Sequence, residues 1–175
     1  MTIADLIVAP IPKSPRVPRT GSLTELATPR ALRVHTLPGR FEHRVFRYLV
    51  EQRQALGIER VFEAKNLLVD GTIVLADGRC LVVEAKYRMG WLKACQVGWQ
   101  VEGFLRMPDG QDCRPVGALV VFETFSGDWA KSRKDRKIET GWSHWYSGHA
   151  TLPGRPGFRL DLIRLRRGRF EGYPR

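Results

Sequence analysis

Residues 61–88 read VFEAKNLLVDGTIVLADGRCLVVEAKYR, and this stretch decides the fold. Val61 and Phe62 begin or flank a strand. Residues 69–75 and 79–86 then read as two strands, with side chains alternating at the period of two that a pleated strand imposes. They meet at Ala76-Asp77-Gly78, a turn signal. The length of that loop fixes which residues face each other. A two-residue Asp-Gly turn sets Asp70 opposite Ala85 and sends Asp70 and Glu84 to opposite faces. A three-residue loop with Gly78 left-handed sets Asp70 opposite Glu84. Only the second sorts the side chains cleanly: Val69, Ile73, Leu75, Leu81, Val83 and Ala85 share an apolar face, and Asp70, Thr72, Glu84 and Lys86 share the other. The expectation is the three-residue loop, or a bulge near Gly71 with the same effect.

Upstream, residues 39–57 read GRFEHRVFRYLVEQRQALG, with Val45, Phe46, Leu49 and Leu56 at helical spacing and Gly57 as a C-cap. At 100° per residue Glu42 falls near the middle of that apolar stripe and Glu51 on the opposite side. A carboxylate buried there needs a partner. Downstream, a second helix is expected from about Gly90 to Arg106, with Trp91, Cys95, Trp99 and Leu105 packing inward and Gln96 and Gln100 sharing a face. Residues 115–125, PVGALVVFETF, form a β-branched, apolar run suited to a central strand. Residues 126–156 read as a basic, aromatic loop. In the final GFRLDLIRLRRGRF, Phe158, Leu160 and Leu162 alternate with Arg159, Asp161 and Ile163, as in a strand. Before Gly39, Pro10, Pro12, Pro15, Pro18, Pro29 and Pro38 preclude a continuous helix or a central strand. The chain thus divides into a Pro-rich basic arm over 1–38 and one domain over 39–175.

Asp70 and Glu84 on adjacent strands supply two oxygen ligands for a divalent cation. Ala85 points away, so Glu84 and Lys86 share a face, while the Ala85 backbone carbonyl remains available to the ion. Glu42 would add an acid from the helix, directly or through water. Such a set suits phosphodiester hydrolysis, in which a cation activates water and offsets the growing charge while Lys86 orients or deprotonates that water.

Asp70, then Glu84-Ala85-Lys86 fourteen positions on, preceded by a helical Glu42, resembles the PD-(D/E)xK nuclease superfamily. The similarity covers roughly residues 39–106, and the string from Asn66 to Arg88 is most similar to resolvase-like and restriction-type members. Val69 stands where the motif's name has proline. Gln96 resembles a glutamine that some exonuclease-type members carry on the following helix, although Gln100 replaces the aromatic expected four residues later. The resemblance implies an α/β, restriction-endonuclease-like mixed sheet flanked by helices, Mg²⁺-dependent catalysis with Mn²⁺ as a substitute, and cleavage of nucleic acid, usually DNA. It implies Asp70 and Glu84 as metal ligands, Lys86 as the catalytic lysine, Glu42 as the auxiliary acid and Gln96 as a positioning residue.

Composition agrees with a polyanionic partner. Twenty-nine Lys and Arg against eighteen Asp and Glu leave a formal charge of +11, and each neutralised phosphate releases condensed counterions. Lys131, Arg133, Lys134, Arg136 and Lys137 are interleaved with Trp129, Trp142, Trp145 and Tyr146, a pattern that tracks phosphates and stacks on bases or else anchors a solvated loop. Lys93 and Gln100 are further nucleic-acid-binding candidates. His144 and His149 lack cysteine or carboxylate partners at zinc spacing. Cys80, Cys95 and Cys113 are odd in number and show no CxxC pair, so neither a disulfide framework nor a structural zinc is expected, and Cys80 and Cys95 read as core fillers. No apolar run is long enough to span a bilayer and Asp5 stands where a secretory signal is basic, so a cytoplasmic protein without a membrane is expected. Homodimerisation fits, since many members of the resembled group act as dimers. The alternatives are a catalytically inactive nucleic-acid-binding subunit of a larger complex and an RNA-directed nuclease.

Overall fold

A computed structural model describes residues 21–31, 35–107, 114–127, 149–152 and 155–171. In chain order these give β1 (Ser22–Glu25), α1 (Leu37–Glu51), β2 (Ile58–Lys65), β3 (Gly71–Leu75), β4 (Cys80–Met89), α2 (Trp91–Leu105), β5 (Pro115–Phe125), β6 (His149–Leu152), β7 (Arg155–Arg166) and β8 (Arg169–Glu171). The strands form one mixed sheet in the order β1-β2-β3-β4-β5-β7-β6, with β8 paired to β7. β1 to β4 are antiparallel neighbours, whereas β4, β5 and β7 run parallel. The chain is therefore an α/β protein with a large mixed sheet and a helix on each face.

The β3–β4 hairpin turns through three residues. Leu75 N–H donates to the Arg79 carbonyl at 2.8 Å, and Gly78 adopts φ +81°, which costs a glycine nothing. The pairs Gly71–Val83 through Val74–Cys80 then extend to place Asp70 across from Glu84.

Each helix covers one face. α1 packs Phe41, Val45, Phe46 and Leu49 onto Val61, Ile73, Val83, Leu119 and Val121. α2 packs Ala94, Val97, Val101 and Phe104 onto Val82, Val120, Phe122, Leu160 and Leu162. The face carrying Thr72, Glu84 and Lys86 is therefore not an open surface: β5 is apolar on both sides, as a parallel central strand is, and β7 turns Phe158, Leu160 and Leu162 to that same side, so a helix is needed there as well. Thr72 and Glu84 are buried as a result.

Several local expectations shift. α1 stops at Glu51 and not at Gly57, because Gln52-Arg53-Gln54 supplies nothing apolar to keep a helix on the sheet. The chain reverses instead through Gly57 (φ +65°), with Ile58 N–H donating to Arg53 O at 2.7 Å. Val69 joins the α2-side core and not the face of Ile73, since residues 66–70 bend out of strand geometry from Asn66 at φ +56°. Trp99 is 37 % exposed; the inward stripe of α2 falls on Ala94, Val97, Val101 and Phe104, and Leu105 packs at its edge. The side chains of Trp91 and Cys95 lie outside the described residues. Ser22–Glu25, within the stretch read as an extended arm, pairs with β2. His149–Leu152 and Arg169–Glu171 are edge strands where the sequence suggested a loop and the end of a single strand. Cys80 is buried but disulfide-bonded, where the odd cysteine count and the missing CxxC pair pointed to a core filler, because sequence spacing does not report which cysteines the fold brings together. No helix among the described residues is long and apolar enough to cross a membrane.

Gly71 sets how closely α1 approaches this hairpin. A Cβ added there would lie 2.2 Å from the Phe62 carbonyl oxygen and 2.6 Å from the Phe46 ring. Gly71→Ala is expected to cost about 2 kcal/mol or more in urea unfolding, whereas Gly127→Ala, with open space around its Cβ, should stay within about 0.5 kcal/mol.

Candidate active site

The segment 66–70 carries Asp70 to the end of β3, and two neighbours clamp it. From β2, Ala64 N–H donates to the Asp70 carbonyl at 2.8 Å. From α2, Gln100 Nε2 donates to the Leu68 carbonyl at 3.0 Å. Gly103, one turn further on, lies so close that an added Cβ would sit 2.5 Å from Leu68 Cδ1. α2 can therefore press against the segment and hold it. Gln100, expected at a nucleic-acid surface, has its amide turned inward to this structural bond.

Asp70 takes the place of a strand beyond the last β3–β4 pair. Its Oδ2 accepts the Ala85 N–H at 2.8 Å, a ladder donor that β3 is too short to reach. In an extended strand the N–H and C=O of one residue point toward the same edge. The Ala85 carbonyl therefore faces the Asp70 side as well. Lys86 donates to Glu84 Oε2 at 2.5 Å, and its Nζ lies 3.8 Å from Asp70 Oδ2. Asp70, Glu84 and Lys86 thus converge from one side of the hairpin.

Glu84 is 0 % exposed, and its Oε1 has no hydrogen-bond partner. Thr72 Oγ1, on the same sheet face, is buried and unpartnered too. A buried carboxylate oxygen without a donor is costly in a protein interior. Divalent cations satisfy such oxygens without a proton, and the Ala85 carbonyl adds a neutral oxygen beside them. Among the described residues no group of three or more His, Cys, Asp or Glu side chains is close enough to hold a metal. Asp70 and Glu84 are thus the protein carboxylates that fit an ion here, with backbone and solvent left to complete its shell. Glu42 is not close enough to make a three-carboxylate group with them, which leaves it the role through water.

Glu42 is coupled to the cluster by charge. It sits one turn before Phe46 on the half-buried flank of α1, and burial lifts its carboxyl to about 7, helped by the Asp70 and Glu63 charges and opposed by Lys86. Burial likewise lifts Glu84 to about 8, with Asp70 adding to the rise and Lys86 opposing it. For Lys86, burial alone would lower the value, but Glu84, Asp70 and Glu42 overcome it and hold the ammonium charged. With every carboxyl ionised the cluster would carry more negative charge than one lysine neutralises, which adds to the rise that burial causes.

Gln96 and Lys93 are exposed on α2, and neither bonds to this cluster among the described residues. Lys131, Arg133, Lys134, Arg136 and Lys137, with Trp129, Trp142, His144, Trp145 and Tyr146, lie outside the described residues. Sequence reading missed the clamp of Gln100 and Gly103 on residue 68; the glycine in the last turn of the helix, which costs helix stability unless something packs there, was the available signal. It missed Thr72 as a buried hydroxyl as well. No family model, curated protein or solved structure matches this chain.

The raised carboxyls have a measurable consequence. In the metal-free protein the folded state holds protons on Glu42 and Glu84 that the unfolded chain has released. Stability from these groups is complete below about 4.5 and drains away as pH climbs through 7 and 8. Every pH unit that separates the folded from the unfolded value is worth about 1.4 kcal/mol. Thermal unfolding in EDTA should give a midpoint that falls from pH 5 to pH 8, and Glu84→Gln should flatten most of that fall.

Proposed function

We propose that this protein is a divalent-metal-dependent nuclease that hydrolyses phosphodiester bonds in DNA, within a restriction-endonuclease-like α/β fold. The observation that carries the reading is the convergence of Asp70, Glu84 and Lys86 around an unsatisfied Glu84 oxygen. Support comes from the order of parts that the sequence resemblance requires. A helix brings Glu42, one strand leads from Asp70, the next carries Glu84-Ala85-Lys86, and a helix bearing Gln96 follows. The +11 charge favours a polyanionic substrate.

In this reading Asp70, Glu84 and the Ala85 carbonyl would hold Mg²⁺, or Mn²⁺ in its place. The ion, when bound, supplies Lewis-acid polarisation of the phosphate and a water of lowered pKa. Lys86, kept protonated by its acidic neighbours, donates hydrogen bonds to the attacking water or a phosphate oxygen and offsets charge that grows in the transition state. Its bond to Glu84 fixes the ammonium before substrate arrives, so no reorganisation is needed at that point. Glu42, titrating near neutrality, is placed to accept a proton at the edge of the site.

The test is a cleavage screen of supercoiled, linear, branched and single-stranded DNA, with RNA in parallel, in Mg²⁺ or Mn²⁺. Asp70→Asn and Lys86→Ala are expected to lower the rate by about 100-fold or more, and EDTA should abolish it. Cleavage that survives both substitutions would overturn the assignment. Ion binding should also strengthen as pH rises from 6 to about 8, because a cation competes with the protons on Glu84 and Glu42. Calorimetry in buffers of different ionisation enthalpy should register proton release on Mg²⁺ binding, and Glu84→Gln should remove most of it.

One observation favours a second reading, a non-catalytic nucleic-acid-binding subunit of the same architecture. Glu84 is closed to solvent, and Lys86 already occupies one of its oxygens. Under that reading calorimetry finds no Mg²⁺ site that depends on Asp70 and Glu84, while nucleic acid still binds.

A further inference from the structure

On the other layer of the sheet lies a cleft of about 470 Å³ between α1 and the C-terminal parts of β4 and β5. It is lined by Arg40, His43, Arg44 and Arg47 from the helix, with Tyr87 and Glu123 from the strands. The three arginines recur at i, i+4 and i+7, so they leave the helix along one stripe, with about 6 Å of rise between the first two. Arg40 makes no ion pair among the described residues. Arg44 is bound to Glu123 at 2.7 Å, which neutralises the single acid in the cleft, and Arg47 is tied to Glu51 on the exposed face. At the inner wall the rings of Tyr87 and Phe41 lie 6.2 Å apart, and Arg44 stands over Phe41.

The place of this cleft gives it meaning. Tyr87 is the next residue after Lys86, and Arg40 and His43 lie on either side of the Phe41-Glu42 pair. Lys86 and Tyr87 project to opposite faces of β4, so a chain would reach the arginine stripe from the Asp70–Lys86 cluster around the end of the sheet, past Glu42 on the N-terminal turn of α1. We infer that the cleft seats the phosphate backbone of a nucleic-acid strand one or a few nucleotides from the bond held at Asp70, Glu84 and Lys86. The inference rests on the proposed nuclease function for the identity of the polyanion. Guanidinium forks match phosphate geometry, and a ring set among them offers a face to a base. A lipid surface would call for a projecting basic and apolar patch, whereas these groups line a concavity.

The experiment reads binding in EDTA, where no chemistry occurs, by fluorescence anisotropy with short fluorescein-labelled duplex and single-stranded DNA. Arg40→Ala/Arg47→Ala is chosen because both side chains are exposed; circular dichroism and the unfolding midpoint verify the fold, and Arg40→Glu serves as a second variant. Affinity is expected to fall by roughly tenfold, and the slope of log K against log salt to shrink by about two, one for each phosphate that no longer meets a guanidinium. Arg79→Ala, on the β3–β4 turn and far from the cleft, should bind within about twofold of wild type. Unchanged affinity and slope in both arginine variants would overturn the inference. So would tighter binding to phosphatidylserine vesicles than to DNA at equal ionic strength. The two proposals can fail separately. If wild type cleaves and the arginine variants bind normally, only the seat falls. If wild type never cleaves but the variants lose binding, the seat stands without the nuclease.

Discussion

A carboxylate buried at the middle of a sheet must be answered by something, and at Glu84 the answer is a single lysine two residues along the same strand. Neither group would be tolerated alone. An isolated ionised side chain in an interior costs several kcal/mol, and the pair recovers this only when its geometry is good and its other polar atoms are satisfied. Here one oxygen of the acid is satisfied and the other is not. Asp70 adds a second negative group within reach of the same amine. The sheet therefore places an excess of acid over base in a space that α2 closes, and the raised carboxyl values of Glu42 and Glu84 express that imbalance. Perturbed groups of this kind gather where chemistry is done.

The surrounding fold keeps the imbalance in place. β3 begins only at Gly71, too late to pair the whole of β4, and the vacated ladder position is taken by a side chain in place of a strand. That substitution needs Asp70 to be held firmly, and it is held at residue 70 by β2 and at residue 68 by α2. The acid is thus fixed by main-chain hydrogen bonds on one side and by a helix on the other.

Much of this could be read in advance, for definite reasons. Loop length and the period of two decide the register of the β3–β4 hairpin, and with it the opposition of Asp70 and Glu84. The helical stripe locates Glu42 beside the apolar residues of α1. What could not be read was the cover. Whether the face of Thr72 and Glu84 meets water depends on β5, β7 and α2, none of which is visible from the hairpin's own pattern. The bent course of residues 66–70, which turns Val69 to the other core, escaped for the same reason: it is imposed by Gln100 and Gly103 from a distant part of the chain. β1 was hidden because its pairing depends on an edge of β2 and its own side chains are mostly exposed.

Gly71 ties these parts together mechanically. With no side chain there, the Phe46 ring stands directly on the strand immediately after Asp70, and Glu42 rides one helical turn away on the same rod. α1 is pinned to the sheet by Phe41, Val45, Phe46 and Leu49 together, so the height at which Glu42 rides over the strand is fixed by the same close approach that the missing side chain allows.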